Sequence, residues 1–196
     1  MRIDGNNHIS PLSDFLSLGE WNHKVLVCCG HKPLAISIAT CVALEGSGGT
    51  EHLLGVCTTA HDSLEILKTV QDSVLVLISE VLDDSNGVEL LEQIQKQAKP
   101  DQSIRTILTL EVLNKNVLKN AALCRPNVLL SQRGFQPAVI RHALEAIVNN
   151  TAYVDPLILH ILAGQTPSDV PDLSEREVEV LILVCEGLTN REIGRR

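Results

Sequence analysis

The feature that most constrains this chain is a regular alternation of short apolar runs with longer stretches of helical pattern. The apolar runs cover residues 24–29, 53–58, 73–79, 104–109 and 128–131. Continuous apolar runs of this length are typical of strands buried on both faces, as in parallel sheets. The alternation therefore predicts an α/β fold: a five-stranded, doubly wound parallel sheet with helices on both faces.

The segments between these runs have helical patterns. We predict helices over residues 33–44, 60–70, 88–98, 114–124 and 137–149, with a short further helix over 157–163. In open parallel sheets the functional site lies at the carboxyl ends of the strands. The candidate positions at those ends are Gly30, His31, Ser79, Thr109 and Ser131.

Composition changes along the chain divide it into four regions. Residues 1–23 are rich in Asn, Ser, Asp, His and Gly and are predicted to be an N-terminal extension. Residues 24–150 hold the α/β domain. Residues 151–171 contain the short helix and a linker rich in Pro, Ser and Gly. Residues 172–196 have a different pattern and are predicted to be a separate module.

The charge and the aromatic content restrict the possible partners. Sixteen basic and twenty-four acidic residues give a net charge of -8, so the chain as a whole repels DNA phosphates. Aromatic residues make up only 2% of the chain, so base-stacking platforms for single strands are not expected. No apolar run approaches the ~18 residues of a membrane span. We therefore expect no contact with a membrane.

The six cysteines form no CxxC pair, which argues against a zinc ribbon or a thioredoxin motif. Most lie in apolar segments, which is typical of buried, reduced thiols. A cytoplasmic location is expected, with no bound metal and no cofactor. No G-x-S-x-G, P-loop or G-x-G-x-x-G motif follows a predicted strand, so an enzyme is not predicted.

The carboxyl-terminal module contains two helix starts. Ser174 with Glu177, and Thr189 with Glu192, have the spacing of capping boxes. Gly187 ends the first predicted helix shortly before the second begins. Two capped helices joined by a tight turn predict the start of a helix-turn-helix.

Residues 173–181 and 186–196 resemble the opening of the LuxR-type DNA-binding domain. Together with the upstream α/β domain, the chain resembles a response regulator of the NarL/FixJ family. The resemblance implies a receiver-like, flavodoxin-like strand order of 2-1-3-4-5, promoter DNA as partner in a full-length form, and a homodimer. The residues that match the partial helix-turn-helix are Thr189, Asn190, Arg191, Arg195 and Arg196.

The resemblance stops early, because the family's recognition helix would follow Arg196. We therefore expect either that this sequence is an incomplete fragment or that direct DNA recognition has been lost.

The resemblance also implies a phosphorylation site that this chain departs from. That chemistry needs oxygen ligands for Mg²⁺, an Asp that accepts the phosphoryl group and a Lys that neutralises it. Gly30 and His31 stand in place of the acidic pair, and Ser79 in place of the acceptor. Thr109 is kept, whereas the Lys is replaced by Ser131 or, in a gapped alignment, has Arg133 as its counterpart. We expect neither Mg²⁺ binding nor phosphorylation.

In the family the dimer face is built from the fourth helix, the fifth strand and the fifth helix. The corresponding residues are Leu113, Val117, Leu118, Arg133, Phe135 and Val139. The predicted function is a DNA-binding transcription regulator whose receiver works without Asp phosphorylation, through dimerisation or through a ligand or partner. The alternative is a protein-interaction pseudo-receiver that does not bind DNA directly.

Overall fold

The computed structural model describes residues 24–45, 52–99, 102–134 and 136–164. The chain divides into two units, Met1–Gly164 and Gln165–Arg196, and every described residue lies in the first. The predicted N-terminal extension, Phe135 and the partial helix-turn-helix therefore lie outside the described residues. The domain boundaries remain predictions.

The described residues form alternating strands and helices in the predicted order. The strands are β1 (Lys24–Cys28), β2 (Leu53–Cys57), β3 (Val74–Ser79), β4 (Ile104–Leu110), β5 (Val128–Ser131) and β6 (Tyr153–Val154). The helices are α1 (Lys32–Glu45), α2 (Ala60–Thr69), α3 (Gly87–Gln97), α4 (Lys115–Leu123), α5 (Pro137–Val148) and α6 (Pro156–Leu162). None of these helices is long and apolar enough to cross a bilayer.

All neighbouring strands pair in parallel in the order β2-β1-β3-β4-β5-β6. The predicted parallel α/β fold with the order 2-1-3-4-5 is confirmed. The sixth strand was not predicted, because two residues are too few to show a hydrophobic pattern. It is held beside β5 by the Tyr153 N–H, which donates to the Asn127 carbonyl at 2.9 Å.

The sheet separates two apolar cores, because successive strand residues point to opposite faces. On one face, Val25 and Val27 of β1 pack in a cluster with residues of α1 and α5. On the other face, Leu26 and Cys28 pack with residues of α2, α3, α4 and α6. Every central strand is thus covered on both sides, which explains its uninterrupted apolar sequence.

Short polar side chains fix the beginnings of the helices at the carboxyl edge of the sheet. The Thr59 hydroxyl accepts from the Asp62 N–H and caps α2, and the Asn86 side chain accepts from the Val88 and Glu89 N–H groups and caps α3. Gly87 follows directly, and a Cβ there would overlap the Ser79 carbonyl. The close approach of α3 to the end of β3 therefore requires glycine at this position.

Candidate functional site

The carboxyl ends of β1, β3 and β4 surround a cavity of about 270 Å³ between the sheet and α1. Ser79 and Thr109, two predicted site residues, both line it and are register partners on neighbouring strands. β1 and β3 are adjacent in the sheet, but the helices that follow them, α1 and α3, lie on opposite faces. The carboxyl ends of these two strands are therefore the topological switch point of the sheet. Ligands of open parallel sheets bind at this kind of place.

The cavity is apolar except at one end. Its walls are formed largely by Val27, Leu34, Ile38 and Leu77, together with the end of β1 at Cys28 and the following Cys29. The polar end is made by Ser79, Thr109 and Gln132. The lining residues are Val27, Cys28, Cys29, Leu34, Ile38, Leu77, Ile78, Ser79, Thr109 and Gln132.

Gly30 lies where the loop between β3 and α3 crosses the end of β1. Its N–H donates to the Val81 carbonyl at 3.0 Å. A Cβ on residue 30 would lie 2.8 Å from the same oxygen and 3.1 Å from the Leu82 Cα. The obstructing atoms are backbone, so they cannot move aside as a flexible side chain could. There is no room for a carboxylate side chain at position 30 in this arrangement.

The carboxylates at this edge already hold the loops together. Glu80 Oε2 accepts hydrogen bonds from the Glu111 N–H at 2.6 Å and the Val112 N–H at 2.9 Å. Glu111 Oε1 lies 3.4 Å from His31 Nε2 and accepts from Gln132 Nε2 at 2.9 Å. The contacts of Glu111 with His31 and Gln132 thus link the loops that follow β1, β4 and β5.

Ser79 is also engaged. Its hydroxyl donates to the Cys28 carbonyl at 3.2 Å, and the residue is only 8% exposed. No group of three or more His, Cys, Asp or Glu side chains that could hold a metal ion occurs in the part of the chain that the structure describes.

The structure does not bring Ser131 to the cavity. Ser131 is a register partner of Leu110, whereas Thr109 is paired with Leu130, so Ser131 and Thr109 lie on opposite faces of the sheet. The Ser131 N–H donates to Asp155 Oδ2 at 3.1 Å, and its hydroxyl accepts from the Arg133 N–H at 3.1 Å. The residue after β5 that does line the cavity is Gln132, which sequence reasoning missed.

Asp155 is a second residue that sequence reasoning missed. It is 2% exposed, and its carboxylate caps α6 by accepting from the Leu157 N–H at 2.8 Å while also binding the Ser131 N–H. A Cβ on Gly134 would overlap this carboxylate. Asp155 therefore ties the turn after β5 to the start of α6. The Asp-Pro pair at 155–156 was a helix-start signal that pointed to this cap.

Asp84 has a structural role in the loop between β3 and α3. Its two carboxylate oxygens accept from the Ala60 N–H at 2.7 Å and the His61 N–H at 3.1 Å, at the start of α2. The hydrogen bond from Ala60 is the main cause that lowers the pKa of Asp84. This carboxylate stabilises the start of a helix and lies away from the cavity lining.

Three of the described cysteines are buried, as expected, and the fourth lies at the end of α4. Cys28, Cys29 and Cys57 are buried and free, and Cys124 is partly exposed. Burial raises the pKa of the Cys28 thiol to about 12 and also raises the pKa of Cys57. At neutral pH the Cys28 side chain is therefore neutral and poorly reactive.

The assignment of Leu118 to the dimer face is wrong. Leu118 has no exposed surface and packs in the core beneath α4, because it lies on the sheet-facing side of the helix. Leu113, Val117 and Val139 are half-buried, and Arg133 is exposed. These four residues can contribute to a surface, whereas Leu118 stabilises the fold.

Comparison with known proteins gives related sequences at low identity. No protein-family model matches the chain. The response regulator protein VraR of Staphylococcus saprophyticus is 22% identical over 174 residues, which cover 87% of this chain and 79% of VraR.

Solved structures give the same picture of the fold. A structure of RcsB dimers bound to DNA has a TM-score of 0.59 at 17% identity and covers 89% of this chain and 82% of RcsB. A LuxR-family response regulator from Aurantimonas has a TM-score of 0.59 at 13% identity and covers 74% of this chain and 97% of that protein. The chain is thus similar to LuxR-type response regulators, and its described part has their receiver-like fold.

Proposed function

We propose that this chain is a LuxR-type transcription regulator whose receiver domain signals without phosphorylation of an Asp. The observation that carries this proposal is the close packing of the Val81 carbonyl against Gly30. The loop after β3 crosses the place where a metal-binding carboxylate would otherwise stand. A receiver built in this way needs another input.

The chemistry of the remaining positions supports the proposal. Phosphoryl transfer needs a carboxylate acceptor and hard oxygen ligands for Mg²⁺. Ser79 offers a hydroxyl that donates to a backbone carbonyl, and His31 offers an imidazole beside Glu111. Glu80 has one carboxylate oxygen bound to two backbone N–H groups.

Two residues that line the cavity lie close to the exposed surface around Arg133. Thr109 near the end of β4 and Gln132 after β5 both line the cavity, and Arg133 is the next residue on the exposed side. We infer that occupancy of this region changes the turn before α5 and, through it, a homodimer face that includes Arg133, Leu113, Val117 and Val139. In this proposal the protein acts in the cytoplasm and has no catalytic activity of its own.

DNA binding is the testable output of this proposal. The similar RcsB structures contain dimers bound to DNA. The experiment is fluorescence anisotropy of duplex promoter fragments with a full-length form, in which the recognition helix implied by the resemblance follows Arg196, at low and raised salt. We expect binding that weakens with salt, with a smaller salt slope for Arg191→Ala and Arg195→Ala. Arg141→Ala, an exposed substitution on α5, is the matched control and keeps the full slope.

A protein-interaction pseudo-receiver without direct DNA binding is the second candidate. It is favoured by the net charge of -8 and by Leu123, an apolar residue that is 78% exposed at the end of α4. If no duplex binds at low salt, this candidate replaces the first. Both candidates share the proposal that the receiver is not phosphorylated.

A further inference from the structure

The cavity at the ends of β1, β3 and β4 has a composition that differs from that of a phosphate or metal site. Four aliphatic side chains, Val27, Leu34, Ile38 and Leu77, form much of its wall. None of the described residues that line it is an Asp, Glu, Lys, Arg or His. Cys29 lies on the face of the sheet that carries α1, whereas the Cys28 thiol packs on the opposite face. A charged ligand entering this space would lose its hydration without gaining an opposite charge.

The polar groups of the cavity are gathered at one end. Ser79 and Thr109 are register partners on β3 and β4, and Gln132 lies at the head of the turn after β5. Hydroxyl and amide groups can both donate and accept hydrogen bonds, so they suit an uncharged polar group. An apolar space with a few polar groups at one end is the usual form of a small-molecule site.

We propose that this cavity binds a small, neutral, largely apolar molecule that carries one hydrogen-bonding group at one end. The apolar body lies between α1 and the sheet, against Ile38 and Leu77. The polar end faces Ser79, Thr109 and Gln132. With a volume of about 270 Å³, the cavity lies near the lower limit of ~300 Å³ for typical ligand sites, so the ligand is small.

This inference rests on the proposed phosphorylation-independent function and supplies its input. The cavity occupies the carboxyl edge of the sheet, where Ser79 replaces the acceptor carboxylate of the family. Gln132 couples a bound molecule to the surface, because its amide also donates to Glu111 and its neighbour Arg133 is exposed. Ligand binding would therefore adjust the turn between β5 and α5.

The test uses the full chain and the neutral dye 1-naphthylamine, which has an apolar bicyclic body and one amino group at one end. Its fluorescence shifts to shorter wavelength in apolar surroundings. We expect saturable binding of one dye per chain, accompanied by shifts of the backbone amide NMR signals of Ser79, Thr109 and Gln132. Binding should be competed by smaller neutral bicyclic molecules such as indole.

Two filling variants decide whether the dye occupies this cavity. Ile38→Trp places a ring inside it, and Leu34→Trp, at a residue that is 43% exposed, fills the mouth with less risk to folding. Each should weaken dye binding by about tenfold or more. Leu123→Trp, on the exposed end of α4, is the control and should bind the dye as the unmodified chain does.

The proposal is overturned if the dye shows no saturable binding, or if binding survives both filling variants unchanged. Stabilisation of the chain by both filling variants without any dye binding would show that the cavity is closed to small molecules. These outcomes leave the phosphorylation question untouched. Conversely, stoichiometric phosphorylation with intact dye binding would overturn the proposed function and keep the binding site.

Discussion

The Val81 carbonyl oxygen lies 2.8 Å from the position that a Cβ on Gly30 would occupy, and the Gly30 N–H donates to it at 3.0 Å. One contact therefore explains two features. It holds the loop after β3 against the end of β1, and it requires the absence of a side chain at residue 30. In this arrangement glycine is needed for packing at residue 30, one of the two positions that the resemblance predicts to correspond to the family's acidic pair.

The first prediction concerns that contact. Gly30→Ala should destabilise the protein by about 1–3 kcal/mol, because the added methyl group meets backbone atoms that cannot rotate away. Urea unfolding measures the free-energy difference. Gly55→Ala in β2 is the matched control, since a Cβ there meets the flexible end of Ile66 at 3.2 Å. Equal stability of the two variants would contradict the proposed packing at Gly30.

The second prediction concerns Asp84 and pH. Its pKa is lowered from the ordinary value of 3.8 by the hydrogen bond from Ala60, so the ionised form stabilises the folded state. That stabilisation is present above the ordinary pKa and is lost as the pH falls through the folded value. Asp84→Ala should therefore be less stable than the unmodified protein at pH 7, and the difference should shrink below about pH 4.

Thermal unfolding at several pH values checks this expectation. Asp83→Ala, at the neighbouring exposed residue, is the control and should not show the same pH-dependent difference. A stability difference for Asp84→Ala that stays constant down to low pH would argue against a role for the ionised carboxylate.

The third prediction separates the core side of α4 from the proposed dimer face. Leu118→Ala should lower the free energy of unfolding by about 3 kcal/mol, because it leaves a cavity in a fully buried site. Arg133→Glu should leave stability nearly unchanged and weaken self-association by about tenfold. Sedimentation equilibrium measures association, and Lys32→Glu at the start of α1 is the matched charge reversal. Unaltered association of Arg133→Glu would remove this residue from the face.

The fourth prediction concerns thiol reactivity. Since burial raises the pKa of Cys28 to about 12, very little thiolate is present at pH 7. Iodoacetamide followed by peptide mass spectrometry should label Cys28 only after unfolding, while the partly exposed Cys124 reacts sooner. Rapid labelling of Cys28 in the native protein would show that this part of β1 opens readily.

Much of the fold was predictable from the sequence, because the five apolar runs are long enough to show their pattern. The match between the predicted run at 128–131 and β5 is an example. The sequence did not predict β6, because its two residues form a strand only by pairing with β5, which is distant in sequence. The prediction that Leu118 belongs to the dimer face was wrong, because the sequence of a helix shows which residues are apolar but not whether the sheet or a second chain covers them.

The candidate site was predictable in part. Position along the chain identified Ser79 and Thr109 at the strand ends, and the structure brings both to one cavity. It did not identify Gln132, because the face that a residue takes just after a strand depends on the following turn. The binding of Asp84 to α2 and of Asp155 to Ser131 depends on contacts between loops 24 residues apart in sequence, which no local pattern shows.

The most direct test of the central claim is the intact mass of the protein after incubation with acetyl phosphate and Mg²⁺. A receiver with an unaltered acceptor Asp, treated in the same mixture, shows that the reagent is active. We predict that the mass of this protein stays unchanged. A stoichiometric increase of about 80 Da, corresponding to one phosphoryl group, would contradict phosphorylation-independent signalling.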